Sequence, residues 1–309
     1  MIRERLSGTR IAITGATGFL GTALVERLLR TVPDCELVLV VRPGRRGAAR
    51  RVERDILRND AFDRLRDQLG AEGFATMAAE RIHAVAGDVT DDALGLDDDG
   101  MALLAGCDLA IHSAAAVSFD SALDDAVEIN LLGPVRVAEA LRLAAGRRTE
   151  PTAGGLAPGE PARLVAVSTC YVAGSRRGKA AEELVEDSPF FVDVDWRREV
   201  DDARGARVDA ERQSRTPERL AALRKEAYAD LGPAGTPAIA AKVEQLRGRW
   251  VDDRMTEAGR ARASSLGFPD AYAFTKALGE RALVETRQGV PVSIVRPSII
   301  ESALAEPHA

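Results

Sequence analysis

Hydrophobic and polar positions along the chain fall into two regimes. Up to about residue 185, and again from about 267, short runs of Val, Ile, Leu and Ala alternate with longer stretches of helical spacing. Arg10–Thr14, Glu36–Val41, 81–89, 107–115, 163–172 and 291–296 read as six strands. Glu36–Val41 is a continuous apolar strand, and the alternation of strands with helices is that of a parallel sheet with helices on either side. Phe19, Leu20, Leu24, Val25, Leu28 and Leu29 recur at helical spacing after the first strand. An arginine-rich helix follows the second strand, a long helix over 122–143 follows the fourth, and another over 270–286 precedes the sixth. The order is that of an open, doubly wound α/β sheet, whose ligands sit at the carboxyl ends of the strands.

Between 186 and 266 the pattern becomes charged and helix-prone, with no strand-like run. Thr216 before Pro217 and Thr236 before Pro237 each read as an N-cap with proline in the first helical position, predicting two or three helices. These helices form either a lid or a solvated decoration. The domain organisation is therefore a first part over 1–185, a helical insertion over 186–266, and a return to the sheet over 267–309. A Gly/Pro-rich stretch at 151–161 reads as a surface loop or flexible insertion.

Composition narrows the class. With 46% hydrophobic but only 4% aromatic residues, the core is built from small aliphatic side chains. A net charge of -6 argues against general nucleic-acid binding, although a basic cluster occupies 42–58. Cys35, Cys107 and Cys170 are few and odd in number, and read as small buried residues of a reducing compartment, with no disulfide frame and no metal site. No signal peptide is evident and no apolar stretch approaches the roughly 18 residues of a membrane span. A cytoplasmic protein is expected, with peripheral membrane contact left open and no signal for oligomeric state.

The chemistry begins at the turn Thr14, Gly15, Ala16, Thr17, Gly18, Phe19, Leu20, Gly21, entered from a strand and left by an amphipathic helix. Unpaired N–H groups and the positive dipole end at such a helix start suit a dinucleotide pyrophosphate. Gly15 permits the tight turn, Gly18 close approach of the phosphates, and Gly21 close packing of helix on strand. The fold class is thus Rossmann-like. Where a carboxylate would bind the ribose hydroxyl of NAD, the second strand ends in Arg42, followed by Arg45 and Arg46. Guanidinium groups suit a 2′-phosphate, so the expected cofactor is NADPH. Arg50, Arg51 and Arg54 fit a solvated basic face better. By topology, Asp88 and Val89 would lie beside the adenine, and His112, Ser113 and Ala114 beside the ribose and nicotinamide.

Tyr272 and Lys276 stand four residues apart on the 270–286 helix and share a face. A free tyrosine has a pKa of about 10, and a neighbouring ammonium favours its phenolate, so Lys276 would tune Tyr272 and hold the nicotinamide ribose. Ser168 and Thr169 close the fifth strand. Thr169 is the candidate hydroxyl that steadies a developing oxyanion, an effect of about 3 kcal/mol for a preorganised donor. Asn130 either completes a proton relay through water or is a buried packing residue.

Together these residues resemble the extended short-chain dehydrogenase/reductase superfamily and, within it, fatty acyl-CoA reductases. The similarity is carried by 13–21, 40–43, 112–120 (H-S-A-A-A-V-S-F-D), 167–172 (V-S-T-C-Y-V), 272–280 (Y-A-F-T-K-A-L-G-E) and 294–300 (I-V-R-P-S-I-I). It implies NADPH-dependent reduction of a long-chain acyl-CoA, or an acyl-carrier thioester, to an aldehyde and onward to an alcohol, with Thr169 and Tyr272 on the carbonyl. It also adds Pro297, Ser298 and Ile299 to the cofactor-binding set. Members usually continue past the sixth strand into a substrate-binding subdomain, so the chain reads as the cofactor-binding portion of a longer reductase. The insertion is longer than the resemblance leads one to expect. A carrier-protein thioester reductase, a nucleotide-sugar epimerase or dehydratase of the same fold, and a protein that senses NADP(H) without chemistry are the alternatives. Intact Thr169, Tyr272 and Lys276 count against the last.

Overall fold

A computed structural model describes residues 2–189, 191–232 and 235–301; the expected third segment's end, 302–309, lies outside them. In chain order the elements begin with α1 (Ile2–Leu6), β1 (Arg10–Thr14), α2 (Phe19–Thr31), β2 (Glu36–Val41), α3 (Gly47–Val52), α4 (Asp63–Arg81) and β3 (Ile82–Ala86). They continue with α5 (Asp98–Ala105), β4 (Leu109–His112), α6 (Leu123–Ala126), α7 (Leu132–Arg147) and β5 (Arg163–Val167). The last are α8 (Trp196–Ser214), α9 (Pro217–Leu231), α10 (Thr236–Ser265), α11 (Ala271–Thr286) and β6 (Val292–Val295). Two compact units result: Met1–Ala115 with Ile129–Tyr171 and Gly279–Ala309, and Ala116–Glu128 with Val172–Leu278.

The first unit is a six-stranded sheet of order β3-β2-β1-β4-β5-β6, parallel throughout. After β3 the chain returns to the other side of β1, so the order reverses between β1 and β4, where Thr14 stands in register with His112. Alternate residues feed two cores. Ile11, Ile13, Leu37, Leu39 and Val41 pack with Val25, Leu28 and Leu29 of α2. Ala12, Val38, Val40, Ala110, Leu164 and Ala166 pack with Met101 and Leu104 of α5 and Val137 and Leu141 of α7. Burial on both faces explains the continuous apolar runs.

β3, β4 and β5 are several residues shorter than the runs that announced them, and β6 is shorter by one residue at each end. Residues 87–89, 113–115 and 168–172 run past the ladder as connections at the carboxyl edge and carry the polar Asp88, Ser113, Ser168 and Thr169. The helix expected over 122–143 is interrupted by a π-helical turn at Val127–Leu131. Phe19, counted on the buried face of α2, is 66% exposed because it opens the helix at the turn. The loop over 151–161 is pinned: Thr152 Oγ1 and Gly154 N–H donate to Asp108 Oδ1, and Arg148 donates to Ala157 O and Glu160 O.

At the amino edge of the sheet, Glu36 receives Arg10 Nη2 and His83 Nε2, each at 2.8 Å. Burial alone would raise its carboxyl; hydrogen bonds from His83 and Arg10 outweigh it and hold Glu36 below the usual carboxylate range.

The second unit contains α8, α9 and α10, where two or three helices are expected. Thr216 Oγ1 accepts from Arg219 N–H and caps α9. At α10, Gly235 is the cap and Thr236 already lies inside the helix. Leu223, Ala227, Ile239 and Leu246 form a small core between α9 and α10. Trp196, Val200, Val251, Met255 and Phe268 are buried as well, and ion pairs join Arg207 to Asp124 and Asp252, Arg204 to Glu128, and Lys242 to Asp230. No described helix is long and apolar enough to cross a membrane.

The sequence groups all three cysteines as buried, yet Cys170 is exposed, because β5 ends at Val167 and the chain turns outward. Burial raises the Cys35 thiol and pushes Cys107 up to about 12. In the native protein at pH 8, a thiol reagent will modify Cys170 rapidly and spare Cys35 and Cys107 until denaturant is added. Peptide mapping by mass spectrometry reads the three sites separately.

Candidate functional site

The turn after β1 leaves no room for side chains. Gly15 has φ +76°, and a β-carbon on it would overlap Ala114 N and lie 2.5 Å from Ser113 C. One on Gly21 would overlap Gly15 O and lie 2.7 Å from Ala16 Cα. At Gly18 the nearest atom would be Gly15 O at 3.3 Å. Gly18 caps α2, whose first turn carries no acidic residue. The N–H groups of Phe19, Leu20 and Gly21 therefore point out of the helix end with no intrahelical acceptor. Thr22 Oγ1 donates to Ala16 O and closes the turn from within, and Thr17 is half-buried beside it.

The ends of β1 and β4 are stitched together. Thr14 Oγ1 lies 2.8 Å from His112 Nδ1, and both N–H and Oγ–H of Ser113 donate to Thr14 O. His112 is thereby buried as a strut between strands, while the backbone of Ser113 and Ala114 meets Gly15. After β3, Asp88 Oδ1 accepts from Thr90 N–H in a tight turn. Val89 packs on the core, and its carbonyl accepts from Arg136.

The basic segment after β2 sorts itself by pairing. Arg50 and Arg58 bind Glu53, while Arg51 and Arg54 bind Asp55. Hydrogen bonds from Arg50 and then Arg58 hold the Glu53 carboxyl below its ordinary value. Arg42, Arg45 and Arg46 are exposed and make no ion pair among the described residues. Three guanidinium groups thus remain available at the carboxyl end of β2, where an anion would be met.

Pairing of β5 with β6 continues beyond both strands: Ser168 N–H donates to Val295 O and Cys170 N–H to Pro297 O. Ser168 and Thr169 are buried at this edge with Pro297 alongside, whereas Ile299 is exposed. Thr169 Oγ1 accepts from Tyr171 N–H at 3.2 Å, which leaves its own proton to donate. Ser168 Oγ is buried without a hydrogen-bond partner, which singles it out as a second donor that the choice of Thr169 passed over. Asn130 is buried within the π-helical turn, and its carbonyl lies where a β-carbon on Gly279 would be.

Tyr272 and Lys276 belong to the second unit and follow the start of α11. Asp270 fixes that start by accepting Ala273 N–H at 2.8 Å on Oδ1, an N-cap worth about 1 kcal/mol. Lys276 is buried, and the ring of Tyr272 meets that of Phe119 edge-on. In the first unit, Arg296 binds Glu280 through Nε at 3.0 and 3.1 Å and through Nη2, holding the residue before Pro297 to α11. Glu280 is buried, and removing one partner of such a pair costs about 3 kcal/mol. Both residues sit in motif stretches, but only the fold shows that they meet.

The sequence model of the family described as male sterility protein, an NAD-binding family, matches residues 13–309. Fatty acyl-CoA reductase 8 of Arabidopsis thaliana is 30% identical over 307 residues, covering 98% of this chain and 53% of the plant protein. The alcohol-forming fatty acyl-CoA reductase of Simmondsia chinensis is 26% identical, with 99% and 54% covered. The chain spans about half the length of these curated relatives. Among solved structures, the reductase domain of a non-ribosomal peptide synthetase from Mycobacterium tuberculosis superposes with a TM-score of 0.51 at 20% identity, over 94% of this chain and 48% of that one. That likeness supports the fold.

Since a β-carbon at 21 overlaps backbone, Gly21→Ala will weaken nicotinamide-nucleotide binding at least about tenfold, or about 1.4 kcal/mol, and lower the melting temperature. Gly146→Ala, in α7 with nothing within 4 Å of the added carbon, will leave binding unchanged. Fluorescence titration and a thermal melt of both variants check this; unchanged binding in Gly21→Ala would refute it.

Proposed function

The chain belongs to the NAD-binding family described as male sterility protein, and from that membership we propose that it is the NADPH-binding catalytic part of a fatty acyl-CoA reductase. The reaction is reduction of a long-chain acyl thioester to the aldehyde and onward to the alcohol. The observation that carries this reading is a glycine turn cleared for a dinucleotide, in a chain that also holds Thr169, Tyr272 and Lys276 and is 30% identical to such a reductase.

The residues present fit the cofactor. Backbone N–H groups at 19–21 suit the pyrophosphate, and the unpaired Arg42 and Arg45 suit a 2′-phosphate. Asp88, Val89, Ser113, Ala114, Pro297, Ser298 and Ile299 would line the rest of the cofactor, and Lys276 would hold its ribose. When bound, NADPH supplies the hydride. Thr169, with Ser168 beside it, donates a hydrogen bond to the carbonyl oxygen as negative charge gathers there. Tyr272 gives that oxygen its proton, and the ammonium of Lys276 on the next turn stabilises the charge left on the phenol. Asn130 passes the replacement proton inward through water. The reduced thioester is a hemithioacetal, which expels CoA as the thiol and leaves the aldehyde; a second reduction and protonation give the alcohol.

Oxidation of NADPH by the full-length protein, followed at 340 nm across acyl-CoA lengths, is the test, with products resolved by chromatography. Activity only on a carrier-bound thioester would move the reading to the related carrier-dependent reductases. Tyr272→Phe will lower turnover about 10²–10⁴-fold, the usual span for loss of a general acid, with NADPH affinity unchanged. Retained turnover in that variant would reject the assignment.

Arg42→Ala will weaken NADPH binding about tenfold, the scale of one hydrogen bond to a charged group, and leave NADH binding unchanged. Equal losses for both nucleotides would place Arg42 away from the 2′-phosphate.

A further inference from the structure

One face of α10 grips two pieces of chain. Arg260 Nη2 donates to the Asp120 carboxylate, and Thr256 Oγ1 donates to Asp120 O at 3.1 Å. Between them, a β-carbon on Gly259 would lie 3.1 Å from Ala271 Cβ and 3.4 Å from Leu123 Cβ. Residues 256, 259 and 260 fall on one side of a helix. Helix α10 therefore holds the loop at 120, the first residue of α6, and the residue just before Tyr272. The loop is itself tight: Ser118 O accepts both N–H and Oγ–H of Ser121, and Asp120 N–H donates to Ser118 Oγ.

What this loop presents is Phe119. Its ring centroid lies 6.3 Å from that of Tyr272 with the planes at 71°, the edge-to-face geometry favoured by aromatic quadrupoles. Phe119 is nevertheless 55% exposed, so its contact with Tyr272 is not the by-product of joining a core. The exposed ring occupies one side of the Tyr272 phenol.

We propose that Phe119 is a positioning residue for the Tyr272 phenol, and that the helical insertion acts on the chemistry by bracing Phe119 against it through Thr256, Gly259 and Arg260. The proposal rests on the proton-donor role assigned to Tyr272 above. Loss of the ring contact removes one restraint on the direction of the phenol. Because misplacement of a reacting group by about 1 Å can cost on the order of 10²-fold, the effect falls on kcat and not on binding. The Asp120–Arg260 pair is exposed and individually weak, so reversing one charge is the informative change.

The test places 3-fluorotyrosine at 272 of the full-length protein and reads its ¹⁹F resonance, which the neighbouring ring current displaces. Phe119→Ala is expected to move the resonance and lower kcat about tenfold, with KM for the acyl thioester and NADPH affinity within about twofold of wild type. Phe119→Tyr, which keeps the ring, restores both. Arg260→Glu, which sets like charges together, shifts the resonance toward that of Phe119→Ala, and adding Asp120→Arg reverses the shift. An unmoved resonance and unchanged kcat in Phe119→Ala would overturn the proposal, and an unmoved resonance in Arg260→Glu would remove the insertion from it. If Tyr272→Phe is inactive while Phe119→Ala behaves as wild type, only this inference fails; if Tyr272→Phe stays active, the functional reading fails with it.

Discussion

Backbone packed directly on backbone at the end of β1 governs the first unit. Gly15 meets the chain leaving β4, and Gly21 meets Gly15 and Ala16, in spaces where a single added carbon would overlap a neighbour. That closeness brings α2 onto the sheet and turns its first N–H groups outward at the place where strand order reverses. The stitching of Thr14 to His112 and Ser113 follows from it, because two strand ends held this near must satisfy each other's polar groups.

Polar groups are treated oppositely at the two edges of the sheet. At the amino edge they are spent: Arg10, Glu36 and His83 pair, while Asp108 collects Arg10 N–H, Thr152 and Gly154. At the carboxyl edge donors are left over, in the first turn of α2, on Arg42, Arg45 and Arg46, and at Ser168 Oγ. Ser168 Oγ is buried, where an unsatisfied group costs about 1–3 kcal/mol, whereas the three arginines are exposed and solvated. A hydrogen-bonding anion matches both in chemical kind.

The second unit combines apolar burial with a dense set of ion pairs. Leu223, Ala227, Ile239 and Leu246 pack between α9 and α10, Trp196, Val200, Met255, Phe268 and Phe274 are buried as well, and arginines sit on carboxylates, such as Arg207 between Asp124 and Asp252. Exposed pairs such as Arg260 with Asp120 contribute about 0–1 kcal/mol each, so they set orientation more than stability. What they orient includes the short stretch around Asp120 and the beginning of α11.

Local periodicity determined most of the architecture. β1 and β2 coincide with their apolar runs, three helices fill the charged stretch, and the glycine turn lies between strand and helix, because side-chain alternation and capping chemistry act over a few residues. The ends of β3, β4 and β5 were not legible, since the chain continues in extended form past the last ladder pair and the partner strand alone decides where pairing stops. The meeting of Glu280 with Arg296, of Phe119 with Tyr272 and of Gly15 with Ser113 and Ala114 was decided by the tertiary structure alone. Each joins residues through space over separations that no helical or strand period spans.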